Sequence, residues 1–107
     1  MKNEIKKLTE SYIKAFNDND IDELSLLVDN DVVLIDPSNK IEGKMNLINF
    51  LKNLFDSNSI SFSSKLLISE GDISVVHFDL QVNQDNLSGV DIIKWKNGKI
   101  ISLIAYL

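Results

Sequence analysis

The hydrophobic period of this chain changes near residue 60, and that change limits the folds open to it. Before Ile60, apolar side chains recur three and four positions apart, which places them on single helical faces. From Ile60 onward the period is two, as in strands that bury one face. Helices followed by consecutive antiparallel strands predict an α+β fold, in which the helices cover one face of a strongly curved sheet.

Three helices are predicted in the first half. The first ends at the polar run 17–20, where Asp20 and Glu23 resemble a capping box that opens a brief second helix. A third helix follows Gly43 and ends near residues 56–58. The apolar stripes consist of Ile5, Leu8, Tyr12, Ile13 and Phe16, then Ile21, Leu24 and Leu27, then Leu47, Ile48, Phe50, Leu51, Leu54 and Phe55.

Strands are predicted from short apolar runs and from turn residues. The β-branched run 32–35 suits a buried strand and closes at Asp36-Pro37, because proline holds its predecessor in extended geometry. Asn97-Gly98 predicts a hairpin with a type I′ turn, which needs positive φ at both residues. Gln84-Asp85-Asn86 marks a looser turn. The remaining strands are predicted over 61–69, 73–82, 89–96 and 99–106.

Composition and charge exclude several classes of function. The 107 residues, 44% hydrophobic and 25% charged, suit one globular domain over 1–107. Lysine supplies all eleven positive charges and the net charge is −5, so no nucleic-acid partner is expected. No apolar run is long enough to span a membrane, and the N-terminal residues lack the pattern of a secretion signal. We therefore expect a cytoplasmic protein.

No metal or cofactor is expected. One histidine and no cysteine leave mainly carboxylates as ligands, and Asp29-Asn30-Asp31 lacks the spacing of a calcium loop. The histidine, His77, shares a strand face with Asp79 and Gln81. That position favours a solvated or interface side chain and leaves His77 as a reserve acid/base group.

Three other side chains could together form an acid/base site. Tyr12 lies in the stripe of the first helix, Asp36 at a strand end, and Asp91 inside the apolar strand 89–96. A phenol can donate a hydrogen bond to a developing oxyanion, and one carboxylate can move a proton. A second carboxyl, kept neutral by apolar surroundings, can donate as well. The pattern predicts a reaction type without naming a substrate.

Each of these residues also has a structural interpretation. Tyr12 could be a core tyrosine bonded to a polar neighbour, and Asp36 could serve an Asx-turn alone. Asp91 shares a face with Ile93 and Trp95, so its carboxyl must be paired, neutral or at an open rim. Trp95 could belong to the core or line a pocket.

Four groups of residues stand in an informative order and spacing. They are Tyr12-Ile13-Lys14-Ala15-Phe16-Asn17 with Asp20, Val33-Leu34-Ile35-Asp36-Pro37, Gly43 with Ile48 and Phe50, and Val90-Asp91-Ile92-Ile93-Lys94-Trp95 with Gly98-Lys99-Ile100. In that order and spacing the chain resembles, over nearly its whole length, the SnoaL-like and ketosteroid-isomerase-like branch of the nuclear transport factor 2 (NTF2-like) superfamily. The resemblance implies three helices on a curved sheet that forms a cone, with a ligand pocket at its open end, usually in a homodimer.

The resemblance also implies a chemistry. In ketosteroid isomerases a tyrosine and a protonated aspartic acid form the oxyanion hole, and another aspartate is the base. These roles fall on Tyr12, Asp91 and Asp36, which implies a cofactor-free isomerase or cyclase that acts on an apolar or carbonyl-bearing small molecule. The related limonene-epoxide hydrolases need an Asp-Arg-Asp arrangement, which a chain without arginine cannot form.

The alternative is a non-catalytic ligand-binding or dimerisation module on the same fold. A deep pocket faced by both Asp36 and Asp91 would favour the enzyme, and a cone filled by apolar side chains would favour the module. The expected pocket-lining residues are Phe16, Phe50, Leu54, Ile93, Trp95, Leu103 and Ala105.

Overall fold

Three helices cover the concave face of a six-stranded sheet, as the change of period predicts. The computed structural model describes residues 2–107. The helices are α1 (Lys2–Asn17), α2 (Ile21–Leu27) and α3 (Lys44–Ser57). The strands are β1 (Val28–Ile35), β2 (Lys40–Glu42), β3 (Ile60–Glu70), β4 (Ile73–Val82), β5 (Asp85–Lys96) and β6 (Lys99–Tyr106). Within the described residues, no helix is both long and apolar enough to cross a bilayer.

The sheet has the strand order β2-β1-β6-β5-β4-β3. Strands β3 to β6 form the predicted antiparallel meander. The last strand then returns to pair with β1 in parallel, so that Ile35 lies opposite Ile104. Consequently β6 and β5 occupy the middle of the sheet, and the end of β1 lies beside them.

The first strand begins earlier than the sequence indicates. Residues 28–31, which precede the predicted strand 32–35, belong to β1, and the pairing with β6 shifts register between Val28 and Val33. An irregular stretch of this kind has no period of two, so pattern reading misses it. Strand β2 was also missed because its three residues are too few to show a period; it pairs antiparallel with the end of β1.

The turn between β4 and β5 is tighter than predicted. Val82 pairs with Asp85, so β5 begins at Asp85 rather than at Gly89. Asn83 makes the tight turn possible with a φ of 58°, a left-handed conformation that asparagine tolerates. Its side-chain oxygen also accepts a hydrogen bond of 2.9 Å from the backbone N–H of Ser59, which ties the turn to the start of β3.

Two local predictions are confirmed. Asn97 and Gly98 both have positive φ, 54° and 76°, as the type I′ turn between β5 and β6 requires. Asp20 caps α2, because its Oδ1 accepts a hydrogen bond of 3.1 Å from the backbone N–H of Glu23. The capping box is only half formed, since the Asp20 N–H donates to the Ala15 carbonyl instead.

A small hydrogen-bonded network fixes α1 to the sheet. Trp95 is 1% exposed, and its indole N–H donates to Ser74 Oγ at 3.1 Å. The hydroxyl groups of Ser74 and Thr9 share a hydrogen bond of 2.8 Å, and both residues are fully buried. Thr9 Oγ1 also donates to the Ile5 carbonyl at 2.7 Å. The network therefore satisfies the polar atoms of a layer that water does not reach.

We expect Ser74→Ala to lower the free energy of unfolding by about 1 to 3 kcal/mol, because the indole N–H of Trp95 would lose its buried acceptor. Urea denaturation followed by circular dichroism measures the change. Ser61→Ala, at an exposed position of β3, is the matched control and should stay within about 0.5 kcal/mol of the wild type. Equal stability of the two variants would contradict a structural role for the network.

Candidate active site

An apolar cavity of about 570 Å³ opens between the helices and the concave face of the sheet. Helices α1 and α3 form one wall and the inner faces of β1, β3, β4, β5 and β6 form the other. Its rim is exposed, with Pro37, Ser38 and Asn39 on one side and Leu87 and Leu107 on the other. The cone is thus open at one end rather than filled by core side chains.

Most of the predicted lining residues face this cavity, and two do not. Ile93 and Trp95 are 0% and 1% exposed and lie in the core, so their placement in the pocket is corrected. Because side chains alternate along β5, Ile93 and Trp95 lie on the same face as Asp91. Alternation does not predict which part of that face a helix covers. Here Thr9 of α1 packs over that end. The predicted residues at the cavity are Phe16, Phe50, Leu54, Leu103 and Ala105.

Other lining residues were missed, although the sequence carried a signal for some of them. The ring of Phe78 stacks on Phe62 at 4.6 Å, and Phe62 meets Phe16 edge-on at 5.7 Å. We call these three residues the aromatic wall. Phe78 stood on the more apolar face of its predicted strand, which could have indicated its position. Besides the rim residues 37–39, the residues missed are Leu34, Leu51, Phe62, Phe78, Leu80, Val82, Leu87 and Leu107.

Gly89 allows the ring of Phe78, part of the aromatic wall, to lie close to the backbone of β5. It lies opposite Phe78 in the pairing of β4 with β5. A β-carbon at this position would lie 2.8 Å from the edge of the Phe78 ring, 2.7 Å from Leu107 Cδ2 and 2.5 Å from the Tyr106 carbonyl oxygen. Real β-carbons do not come so close to other atoms, so a larger residue would displace two residues that line the cavity.

Tyr12 presents a protonated phenol to the cavity. Its side chain projects from the buried face of α1 and is 7% exposed. Burial raises the pKa of the phenol above its ordinary value, and the negative charge of Asp91 raises it further. The hydroxyl is therefore a hydrogen-bond donor at any ordinary pH.

Asp91 presents a carboxyl with no protein partner. It lies in the middle of β5, is 5% exposed, and has Val76 and Ala105 opposite it on the neighbouring strands. Burial raises the pKa of this carboxyl to about 7. Among residues 4–107 neither Asp91 nor Tyr12 has a side-chain hydrogen-bond partner, yet no fully buried polar side-chain atom in this range lacks one. Both groups must therefore expose polar atoms to the cavity.

Asp36 both holds a turn and borders the cavity. Its Oδ1 accepts hydrogen bonds from the backbone N–H groups of Ser38 and Asn39, at 2.8 and 2.7 Å, and from Asn39 Nδ2 at 3.0 Å. The Asx-turn that the sequence allowed is therefore present. Oδ2 has one longer contact of 3.2 Å with Asn39 Nδ2, which leaves it free to accept from a ligand.

The sheet register brings the two carboxyl groups to the same cavity. Asp36 follows Ile35, which pairs with Ile104, and Asp91 pairs with Ala105. The two aspartates therefore lie on opposite sides of β6, separated by two strand spacings or roughly 10 Å. Tyr12 faces them from α1 across the cavity. A small molecule between them could meet a fixed donor, a titrating carboxyl and an acceptor.

The remaining candidates lie outside this site. His77 is exposed on the outer face of the sheet. In the part of the chain that the structure describes, no group of three or more His, Asp or Glu side chains is arranged to hold a metal ion. The acid/base groups of the cavity are therefore Tyr12, Asp36 and Asp91.

We expect Asp91→Asn to be tolerated or stabilising near neutral pH. A free aspartate has a pKa of about 3.9, so the folded chain, with its pKa of about 7, binds more protons between these values. The stability that protonated Asp91 contributes is complete below about pH 3.9 and is lost as the pH rises through about 7. As the pH rises from about 4 to about 7, the free energy of unfolding of the wild type should therefore fall relative to that of Asp91→Asn, by at most about 1.4 kcal/mol per pH unit.

Urea denaturation at several pH values between 4 and 8 measures this difference, and a carbon-detected NMR titration follows the Asp91 carboxyl directly. Asp85→Asn, at an exposed position of the same strand, is the control and should run parallel to the wild type. An Asp91 carboxyl that titrates like a free aspartate would contradict its burial at the cavity.

Comparison with known proteins agrees with this geometry. The family model of the SnoaL-like domain matches residues 9–103. No curated protein matches the sequence.

Several solved structures share the fold at low sequence identity. A candidate ketosteroid isomerase from Kribbella flavida is 19% identical, with a TM-score of 0.91 over 98% of this chain and 78% of that one. A candidate polyketide cyclase from Sinorhizobium meliloti is 19% identical, with a TM-score of 0.86 over 92% and 93%. An LEH-like epoxide hydrolase from M. tuberculosis is 13% identical, with a TM-score of 0.90 over 98% and 83%. At such identities the likeness establishes the fold alone. The match over residues 9–103 establishes the family: the chain belongs to the SnoaL-like family.

Proposed function

We propose that this protein is an acid/base enzyme that moves a proton next to the carbonyl group of an apolar small molecule. The observation that carries the proposal is that Tyr12, Asp36 and Asp91 all line one apolar cavity. Two of the fold neighbours, the candidate ketosteroid isomerase and the candidate polyketide cyclase, are named for reactions on carbonyl compounds, which supports the same class.

In this mechanism the carbonyl oxygen of the ligand accepts hydrogen bonds from Tyr12 and from protonated Asp91. Asp36 Oδ2 takes a proton from the carbon next to the carbonyl, and the electron pair of that C–H bond moves toward the oxygen to form an enolate. The two donors stabilise the negative charge, which a desolvated site does more strongly than water. Asp36 then returns the proton to another carbon, which gives an isomer and restores the enzyme.

The competing function is a ligand-binding module without catalysis. The observation that favours it is the set of hydrogen bonds on Asp36, because a carboxylate that holds the β1–β2 turn has a structural purpose already. An epoxide hydrolase of the Asp-Arg-Asp type is not proposed, because the chain has no arginine.

We expect Asp36→Asn to reduce isomerisation of a simple β,γ-unsaturated ketone by roughly 100-fold or more, because general-base catalysis contributes about that much. The absorbance of the conjugated product measures the rate. The amide oxygen of asparagine can still accept in the turn, so the fold should persist. Asp31→Asn, which removes an exposed carboxylate from β1, the strand that ends directly before Asp36, should keep the wild-type rate.

Equal rates for the wild type and Asp36→Asn would remove Asp36 from the mechanism. No detectable rate for either protein would favour the binding module.

We also propose a homodimer that forms through the outer face of the sheet. Register pairs place one apolar row across five strands of that face: Ile35, Ile104, Ile92, Val75 and Ile68. Leu66 and Tyr106, beside this row, are 53% and 58% exposed. Contiguous apolar surface of this kind favours association with a second copy in a two-fold arrangement.

We expect Ile92→Lys, a charge in the middle of this row, to dissociate the dimer because the lysine would be buried opposite its own copy. Light scattering at micromolar concentration should give twice the 12.1 kDa chain mass for the wild type and the chain mass for the variant. Asn53→Lys adds the same charge on the exposed side of α3 and should remain dimeric. A wild-type mass near 12.1 kDa would contradict the interface.

A further inference from the structure

The cavity contains acidic groups without a basic one. Within residues 4–107, its lining includes no lysine or histidine, and its ionisable side chains are Tyr12, Asp36 and Asp91. The remaining lining residues are apolar, apart from Ser38 and Asn39 at the rim. When Asp91 is ionised, no cation lining the cavity compensates its charge.

The lysines close to the cavity in sequence lie outside it. Lys40 follows Asn39 of the rim, but its ammonium lies 3.4 Å from Glu42. Lys14 of α1 pairs with Asp18 on the outside of the helix, and Lys52, next to Leu51 on α3, is exposed. Because no lysine among residues 4–107 lines the cavity, a cation that compensates Asp91 there would be one that a ligand brings.

We propose that the cavity also binds a lipophilic amine in its protonated form, with the ammonium group against Asp91 and the hydrocarbon part against the aromatic wall of Phe16, Phe62 and Phe78. This inference uses the cavity of the proposed enzyme but does not depend on catalysis. Asp91 is 5% exposed and borders the cavity, and its carboxyl has no hydrogen-bond partner among residues 4–107, so a ligand donor is the partner it lacks.

The neighbouring groups suit an ammonium ion. It has three donors, which the two oxygens of Asp91 and the lone pairs of the Tyr12 hydroxyl can accept. Aromatic rings attract a cation through their faces and also provide apolar contact. Once Asp91 is ionised, a carboxylate or phosphate ligand of the same size would meet two negative groups and no cation, so above about pH 7 the cavity should reject it.

Amine binding should strengthen as the pH rises toward neutrality. Asp91 has a pKa of about 7, so below that value the amine must displace a proton before the ion pair forms. The charged or titratable groups that face Asp91 are Tyr12 from α1 and Asp36 from the end of β1, while α3, β4 and β6 present apolar side chains. An uncharged carbonyl ligand, which accepts from protonated Asp91, should show the opposite pH dependence.

Three probes that share one ring system test the inference: 2-naphthylmethylamine, methyl 2-naphthyl ketone and 2-naphthoate. Calorimetric titration of the wild type between pH 5.5 and 8.5 measures each affinity, and the amine stays protonated over this range. We expect amine affinity to rise roughly fivefold from pH 6 to 7 and roughly tenfold from pH 6 to 8, as the ionised fraction of Asp91 grows, and to level off above pH 8. Ketone affinity should fall over the same range, and 2-naphthoate should not bind at pH 8. An amine that binds no more tightly at pH 8 than at pH 6, or a naphthoate that binds as well as the amine at pH 8, would overturn the proposal.

The variant Asp91→Asn separates the ion pair from the shape of the cavity. It should weaken the amine at pH 8 by tenfold or more and leave the ketone bound within about threefold, since the amide still donates to a carbonyl. Asp85→Asn removes an exposed charge from the same strand and should change neither affinity. Unchanged amine affinity in Asp91→Asn would refute the pairing with Asp91.

The outcome is independent of the proposed catalysis. If the amine binds with the expected pH dependence and the β,γ-unsaturated ketone is not turned over, amine binding is supported and the proposed catalysis is contradicted. If the ketone is turned over and the amine does not bind, the proposed catalysis is supported and amine binding is contradicted.

Discussion

The parallel pairing of β1 with β6 is the interaction on which the site depends. It is the one parallel contact in the described sheet, and it places the end of β1 beside the middle of the meander. Without it, Asp36 and Asp91 would share no surface, because 54 residues of chain and one helix separate them. The pairing turns two distant carboxyl groups into neighbours across a single strand, and α1 adds Tyr12 from above.

Asp91 shows how the fold keeps a reactive group available at a cost in stability. A buried carboxyl without a partner costs free energy when it is ionised, and the raised pKa expresses that cost. At the closed end of the cone, by contrast, Thr9, Ser74 and Trp95 satisfy one another completely. Polar groups near the two ends of the inner face of β5 therefore differ. Trp95 in the core has a hydrogen-bond partner, whereas Asp91 at the cavity is left to bind water or a ligand.

Close packing and hydrogen bonds also hold the groups that border the cavity in place. Because Gly89 has no side chain, the ring of Phe78 and the end of β6 can lie close to its backbone in β5. The hydrogen bonds that Asp36 accepts fix its carboxylate at the rim. Each arrangement limits the motion of groups that border the cavity, so a ligand would meet a largely preformed site. Preformed polar groups lose less free energy on binding than groups that must first be ordered.

The sequence by itself determined the α+β class, the three helices, the type I′ turn at Asn97-Gly98 and the side chains most able to do acid/base chemistry. These follow from local periods and turn residues, which depend on neighbours along the chain. The tertiary structure decided which of those side chains meet, that Asp36 both holds a turn and borders a cavity, and that Trp95 lies in the core. Alternation assigns a residue to a face, but depth along that face depends on where a helix crosses it and on the register of strands far apart in sequence.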